Sequence, residues 1–312
     1  MESMITVVQT DNRLKRPFRA RTILLPILFL LIHFSAQVVV QLLILFYNLV
    51  MSGFRPDGLE NLLAMATAGI VPMMIISSLA QISVYLIYLY VQTRDRKLPF
   101  GVLPRKVRYI PGAAAVAFTA LLMSTLTVQL FSWLGTQNEG VQRAMELYNT
   151  SASNMMSDQL ALNILAFVIL VPVAEELLFR AVITGELLGV VPDWAAVLIG
   201  GAVFALAHGN LIQSTYVLPA GILFGLVYVW SDSILLSIIM HMLYNLMGGI
   251  ILPSLEEQSA GQMAAGGVVL LLALAGIAAL VLMGLGRRRQ RRAAVRPDAS
   301  GDSGSAGSIS LL

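Results

Sequence analysis

The hydrophobic residues of this chain fall in long blocks, and the polar residues fall mostly in the short segments between them. A run of about 20 apolar residues forms a helix long enough to cross the ~30 Å hydrocarbon core of a bilayer. The pattern therefore predicts an all-α, polytopic membrane protein with about eight transmembrane helices. The predicted spans are Thr22–Met51, Leu62–Val91, Ile110–Leu134, Leu160–Leu188, Trp194–Ala207, Ile212–Trp230, Ile234–Leu252 and Ala264–Leu285. The fifth span is short, and a re-entrant segment is the alternative for it.

The overall composition agrees with a membrane protein. Hydrophobic residues make up 57% of the chain and charged residues only 12%, whereas a soluble protein has roughly a quarter charged residues. Cys is absent, which excludes disulfides, thiolate metal sites and a cysteine nucleophile. Histidine chemistry is limited to His33, His208 and His241.

The basic residues lie beside alternate ends of the predicted spans. By the positive-inside rule, this asymmetry predicts a multi-pass cell-membrane protein with both termini in the cytoplasm. Such runs also occur in nucleic-acid-binding proteins, but their position next to apolar spans favours the lipid bilayer, and no nucleic acid, as the partner. The clusters are Arg13, Lys15, Arg16, Arg19 and Arg21; Arg94, Arg96, Lys97, Arg105, Lys106 and Arg108; and Arg287, Arg288, Arg289, Arg291 and Arg292.

Charge and hydropathy together divide the chain into five segments. A cytoplasmic N-terminal segment (1–21) precedes three transmembrane helices (22–134) and an extracytoplasmic loop (135–159). A second set of transmembrane helices (160–286) then carries the candidate site. The last segment (287–312) is a basic cytoplasmic tail, and its Gly-, Ser-, Ala- and Asp-rich end is expected to be disordered.

Span four carries charges at membrane depth, where ionisable residues are costly and are candidates for function. Glu176 and Arg180 are four residues apart, so they share a helix face and can form an ion pair. A structural pair that pins helices together is the alternative to function for these two residues. Glu175 is rotated by about 100° and lacks a local partner, which makes it the better candidate for a general base. Pro172 is expected to leave the carbonyl of Val168 without its helical hydrogen bond.

Two further motifs place polar residues in apolar spans. Phe204 lies in span five and His208 at its end, and His241 and Asn245 lie four residues apart on one face of span seven. Counting about 1.5 Å per residue from the cytoplasmic boundary brings Glu175 and these polar residues to similar depths. A polar active-site cavity among helices 4, 5 and 7 is therefore predicted. His33 belongs to no such motif, and we interpret it as a polar residue that bridges two helices.

These motifs, in this order, resemble those of the CPBP family of membrane proteases, which includes the CAAX proteases and is also called Abi. The resemblance covers about Leu160 to Gly248 and includes Glu-Glu-x-x-x-Arg at 175–180, Phe-x-x-x-His at 204–208 and His-x-x-x-Asn at 241–245. It implies an intramembrane endopeptidase that cleaves a membrane-associated or lipidated, CAAX-like peptide or protein.

The resemblance also implies a role for each motif residue. Glu175 would activate water with the help of His208, and His241 and Asn245 would stabilise the tetrahedral intermediate. Glu176 and Arg180, with Phe204, would support the site. The family is often labelled metalloprotease, and Glu175, His208 and His241 could hold a zinc ion with one position open for water. A metal-free glutamate mechanism uses the same residues, and no cofactor is certain.

Two other classes of function remain open from the sequence. One is a non-catalytic membrane protein of the same fold that binds a peptide or protein partner, as in immunity. The other is a proton-coupled transporter, because Glu and His within helices also form proton relays. The absence of visible internal repeats speaks against the transporter. The oligomeric state is not predicted.

Overall fold

The structure, a computed structural model, describes residues 17–53, 58–95, 109–156, 158–255 and 259–295. In these ranges the long apolar blocks form helices, because only a helix satisfies the backbone polar groups of a single segment within a bilayer. The helices described there are α1 (Arg21–Met51), α2 (Leu59–Ala68), α3 (Ile70–Asp95), α4 (Tyr109–Gly135), α5 (Glu139–Asn154), α6 (Leu160–Leu187), α7 (Asp193–Leu206), α8 (Leu211–Ser231), α9 (Ile234–Ser254) and α10 (Ser259–Val295).

The predicted fold class is confirmed. Within the described ranges, seven helices are long and apolar enough to cross a membrane: α1, α3, α4, α6, α8, α9 and α10. The fifth predicted span is α7, which has 14 residues and is about 21 Å long at 1.5 Å per residue. It is therefore shorter than the hydrocarbon core, as its short apolar run indicated.

Three segments differ from the simple pattern of spans and loops. The second predicted span is divided, because α2 ends at Ala68 and α3 begins at Ile70. The segment predicted as an extracytoplasmic loop contains α5, whose first N–H groups are accepted by the side chain of Asn138. Helix α10 continues to Val295, so the first residues of the predicted tail are helical.

Several sequence predictions concern residues outside the described ranges. They include the first basic residues of the N-terminal segment, the loop from 96 to 108 and the end of the tail from 296 to 312. The division of the chain into five segments stays a prediction.

Ion pairs at helix ends show which ends lie on one side of the molecule. Arg21, at the start of α1, contacts Glu186 near the end of α6 at 3.4 Å, and the Tyr88 hydroxyl of α3 donates to the same carboxylate at 2.9 Å. Arg287 of α10 lies 3.4 Å from Asp232, which follows α8, and 3.8 Å from Asp193 at the start of α7. We call this side the charged rim. The sequence predicts that these helix ends lie on the same side of the membrane, and in the structure they share one rim.

Helix α6 lies at the centre of the second helix set and packs against α1, α3, α7 and α9. Helices α7 and α8 approach closely at two glycines. A Cβ atom added to Gly221 would lie 3.0 Å from the carbonyl oxygen of Gly201 and 2.9 Å from the ring of Phe204. Only glycine leaves room for this contact, which brings Phe204 and the end of α7 against the centre of the molecule.

Candidate active site

Glu176 is completely buried, and three side chains hold its carboxylate. Arg180 Nε lies 3.0 Å from Oε2, and His241 Nδ1 lies 2.9 Å from Oε1. The Ser237 hydroxyl donates to Oε2. A buried carboxylate is tolerated only when it is paired and hydrogen-bonded, and these three contacts meet that requirement. The ion pair between Glu176 and Arg180 is as predicted, whereas the two partners from α9 are additional.

Arg180 is buried together with its partner. Its side chain is 1% exposed, and its guanidinium carbon lies 4.8 Å from the centre of the Phe204 ring. A guanidinium stacked on an aromatic face gains a cation–π interaction. The Nη2 atom donates to the carbonyl of Gly221 at 3.4 Å, so Arg180 also connects α6 to the close contact between α7 and α8.

Glu175 has a different environment from its neighbour. Its side chain is 15% exposed, whereas that of Glu176 is 0% exposed. Its Oε2 lies 3.7 Å from Nε2 of His241, which is beyond the length of a direct hydrogen bond. The two adjacent glutamates therefore face opposite nitrogens of one imidazole. Since Glu176 accepts the Nδ1 proton, Nε2 of His241 is the atom presented to Glu175.

Phe204 connects the two site histidines. Its ring centre lies 4.9 Å from that of His208 and 5.7 Å from that of His241, and both contacts are edge-to-face. His208 Nδ1 donates to the carbonyl of Phe204 at 2.9 Å, because a carbonyl can only accept. When the ring is neutral, its proton is therefore on Nδ1 and Nε2 carries the lone pair.

Asn245 contacts the backbone of α6. Its Nδ2 donates to the carbonyl of Phe167 at 2.8 Å. Phe167 belongs to a π-helical stretch, Ile164–Leu170, in which N–H groups reach back five residues. Pro172 has no N–H, so in this register it leaves the carbonyl of Phe167 free. The sequence prediction named the carbonyl of Val168 because it assumed an α-helical register.

The structure brings Glu175, Glu176, Arg180, Phe204, His208 and His241 into one connected group of side chains. Asn245 faces the same helix, α6, about one turn from His241 on α9. That these residues act as an active site stays a prediction.

Sequence reasoning missed two parts of this group. Ser237 lies one turn before His241, and this i,i+4 spacing is a signal that could have identified it. His33 bridges α1 and α3 as expected, since its Nδ1 lies 3.3 Å from the Tyr85 hydroxyl. Its location beside the site is unexpected, because the His33 ring lies 6.3 Å from that of Phe179, one turn after Glu175. No local pattern in the sequence indicates this proximity.

A three-ligand metal site does not fit this geometry. In the part of the chain that the structure describes, no three His, Asp or Glu side chains are grouped so that they could hold a metal ion. The ring contacts of His241 with Glu176 and of His208 with a backbone carbonyl do not decide the question, because a metal-binding histidine also donates its second N–H to such acceptors. The label metalloprotease, and the zinc set of Glu175, His208 and His241, are therefore not supported.

Fold and site together define a polytopic helical membrane protein with paired glutamates on α6, one histidine in the turn after α7 and one on α9. Residues 157–247 match the family described as Type II CAAX prenyl endopeptidase Rce1-like. The chain is also similar to the membrane-embedded CAAX protease MroQ of Staphylococcus aureus (strain USA300), with 29% identity over 144 residues. That alignment covers 44% of this chain and 56% of the relative, so the chain spans little more than half of the relative's length. No solved structure gives a significant match.

Both matches are to CAAX proteases, the kind of protein that the CPBP family resembled by the three motifs includes. The family match begins shortly before α6 and ends within α9, so it contains every motif residue of the candidate site. At the level of the family, the matches support a membrane protease of the CAAX type.

Proposed function

We propose that this chain is an intramembrane endopeptidase that hydrolyses a peptide bond near the C-terminus of a membrane-associated or lipidated, CAAX-like peptide or protein. In this proposal Glu175 is the general base, and His208 assists it in activating the attacking water. His241 and Asn245 stabilise the negative charge that develops on the carbonyl oxygen of the scissile bond.

The observation that carries the proposal is the different environment of the two adjacent glutamates. The carboxylate of Glu176 is occupied by Arg180, Ser237 and His241, so it has no capacity left for a substrate. Glu175 is partly exposed, and its Oε2 lies 3.7 Å from Nε2 of His241. One water molecule can contact both of these atoms at ordinary hydrogen-bond lengths. Such a water would be polarised by the carboxylate and activated for attack.

The two histidines suit different roles for a chemical reason. In its neutral form His208 carries its proton on Nδ1, where it is donated to the carbonyl of Phe204, and Nε2 is then free to take a proton and pass it to the leaving amine. His241 donates its Nδ1 proton to Glu176, which leaves Nε2 directed toward Glu175 and the reacting groups. A protonated Nε2 is a donor for an oxyanion.

Asn245 has a second role in addition to that proposed for catalysis. One hydrogen of its amide is used by the carbonyl of Phe167, and this contact fixes the orientation of the side chain. The other hydrogen remains for the oxyanion, since an amide nitrogen carries two. A donor that is already oriented needs no rearrangement when the charge develops.

The experiment that tests this proposal is cleavage of a lipidated CAAX-type peptide by the purified protein in bilayer nanodiscs. The parent is expected to release the C-terminal fragment, and Glu175→Gln should abolish release. Glu186→Gln is the matched control, because Glu186 lies on the same helix at the charged rim. Glu175→Gln should also retain bound substrate. Tight binding of the peptide by the parent without cleavage would instead favour a non-catalytic binding protein, and proton-driven uptake would favour a transporter.

A further inference from the structure

The first helices of the chain, outside the family match, contribute a buried pair of polar side chains next to Glu175. His33 of α1 is 5% exposed and Tyr85 of α3 is 0% exposed. Burial of an imidazole and a phenol in a membrane protein requires that their polar atoms be used. Gln81 donates to the backbone carbonyl of His33 at 2.9 Å and fixes α1 against α3 at this depth.

The contacts of His33 determine where the protons lie. Gln37 Nε2 lies 3.1 Å from Nε2 of His33, and an amide nitrogen can only donate, so this ring nitrogen accepts. The ring proton is then on Nδ1 and is donated to the Tyr85 oxygen at 3.3 Å. The hydroxyl proton of Tyr85 must therefore be directed to a different acceptor. Within the described ranges, no other hydrogen bond of the Tyr85 hydroxyl is seen.

Glu175 is the carboxylate that lies at the same depth as His33 and Tyr85. Helices α1 and α6 meet at the charged rim, where Arg21 contacts Glu186. His33 lies twelve residues along α1 from Arg21, and Glu175 lies eleven residues back along α6 from Glu186. Both are therefore at a depth of about 16–18 Å. The ring contact between His33 and Phe179 places His33 on the same face of α6 as Glu175.

Electrostatics agree with this placement. The charge of Glu175 acts on both His33 and Tyr85, and His208 also acts on His33. The ionisable groups around Glu175 thus come from three other helices, α1, α3 and α9, and from the turn that follows α7. They are His33, Tyr85, His208 and His241, with Glu176 and Arg180 on α6 itself.

We propose that Tyr85, oriented by His33, is a positioning residue that donates its hydroxyl proton to the Glu175 carboxylate and holds it toward the reacting water. This inference rests on the proposed function and extends the site to α1 and α3. The pair uses one oxygen of Glu175 and leaves the other for water. Tyr85 acts only through Glu175 and makes no contact with the substrate.

The central test is Tyr85→Phe, which removes the hydroxyl and keeps the ring packing. It should lower kcat by about tenfold or more, because a hydrogen bond to a charged group is lost, and leave KM unchanged. Tyr88→Phe is the matched control, since Tyr88 lies one turn away on α3 and donates to Glu186 at the charged rim. That control should keep the parental kcat. An unchanged kcat in Tyr85→Phe would overturn the inference.

Two variants of His33 separate orientation from packing. His33→Asn keeps a donor near the position of Nδ1 and should retain most of the activity, whereas His33→Leu removes it and should resemble Tyr85→Phe. The double variant of His33→Leu and Tyr85→Phe should be no slower than either single variant, because both substitutions disrupt the same hydrogen bond, that from Tyr85 to Glu175. Equal loss in Asn and Leu variants, or multiplied losses in the double variant, would contradict the pairing.

A second measurement tests the pair even where no peptide is cleaved. Thermal melting in detergent is compared for Tyr85→Phe in the parent and in a Glu175→Ala background. The destabilisation by Tyr85→Phe should be smaller when Glu175 is absent, because the interaction between the two residues is already lost and only the bond from His33 remains to be removed. Independent effects of the two substitutions on melting would overturn the inference. A failure of the parent to cleave, with coupled melting, would instead count against the proposed function alone.

Discussion

The buried ion pair of Glu176 and Arg180 allows a quantitative prediction for Glu176→Gln. The substitution keeps the shape of the side chain and removes its charge. Arg180, which is 1% exposed, would then be a buried cation without a counter-ion. Removal of one partner of such a pair typically costs about 3–5 kcal/mol. At about 2–4 °C per kcal/mol for a chain of this size, the melting temperature should fall by on the order of 10 °C.

The prediction has a second consequence for chemistry. His241 donates to Glu176, and a neutral amide stabilises a protonated imidazole less than a carboxylate does. Glu176→Gln should therefore lose activity even below its melting temperature. Glu175→Gln should behave in the opposite way, because Glu175 is partly exposed and has no ion pair on its own helix. It should melt close to the parent and lose essentially all activity.

The assay is melting in detergent, followed by intrinsic fluorescence, together with peptide cleavage for each variant. Glu139→Gln is the matched control, since Glu139 and Arg143 form an exposed pair with the same i,i+4 spacing. Loss of that pair should leave melting unchanged, because exposed ion pairs contribute little. If Glu176→Gln melts with the parent, or if Glu175→Gln keeps substantial turnover, the division of roles between the two glutamates is refuted.

Further predictions concern topology, packing and metal dependence. A cysteine at Ser52 should react with an impermeant reagent added outside the cell, and one at Leu103, outside the described residues, should not; the reverse pattern would contradict the orientation. Gly221→Ala should lower the melting temperature, because the new methyl would overlap Phe204 and the backbone of α7, whereas Gly267→Ala meets nothing within 4 Å and should be neutral. Activity should persist in strong chelator with less than one zinc per chain; loss of activity on removal of one bound zinc, and its return with the metal, would contradict the metal-free mechanism.

Hydropathy predicted most of the membrane spans because each is a long, mainly apolar run that needs no tertiary information. It did not predict α5, since that segment is polar overall and its helix depends on a local cap at Asn138. The same limit applies to the short α7, where length alone leaves crossing and re-entry open.

The candidate site was predictable where the relevant geometry is local. The pairing of Glu176 with Arg180 follows from helix spacing, and the structure has it. The contact of Glu176 with His241 depends on the rotation of α9 relative to α6, which a single sequence does not reveal. The position of Tyr85 and His33 beside the site depends likewise on how α1 and α3 pack against α6.

The π-helical stretches of α6 limit how the length of this helix can change among related proteins. Each such stretch corresponds to about one extra residue in an otherwise α-helical turn, and these two flank the segment Val171–Glu176. Deletion of one residue from the stretch Ile164–Leu170 would rotate the preceding part of α6 by about 100° relative to the two glutamates. Relatives that share the chemistry should therefore either keep the insertion or compensate for it elsewhere in the helix. A single-residue gap in an alignment of this region would mark a lineage in which Phe167 and Asn245 no longer meet.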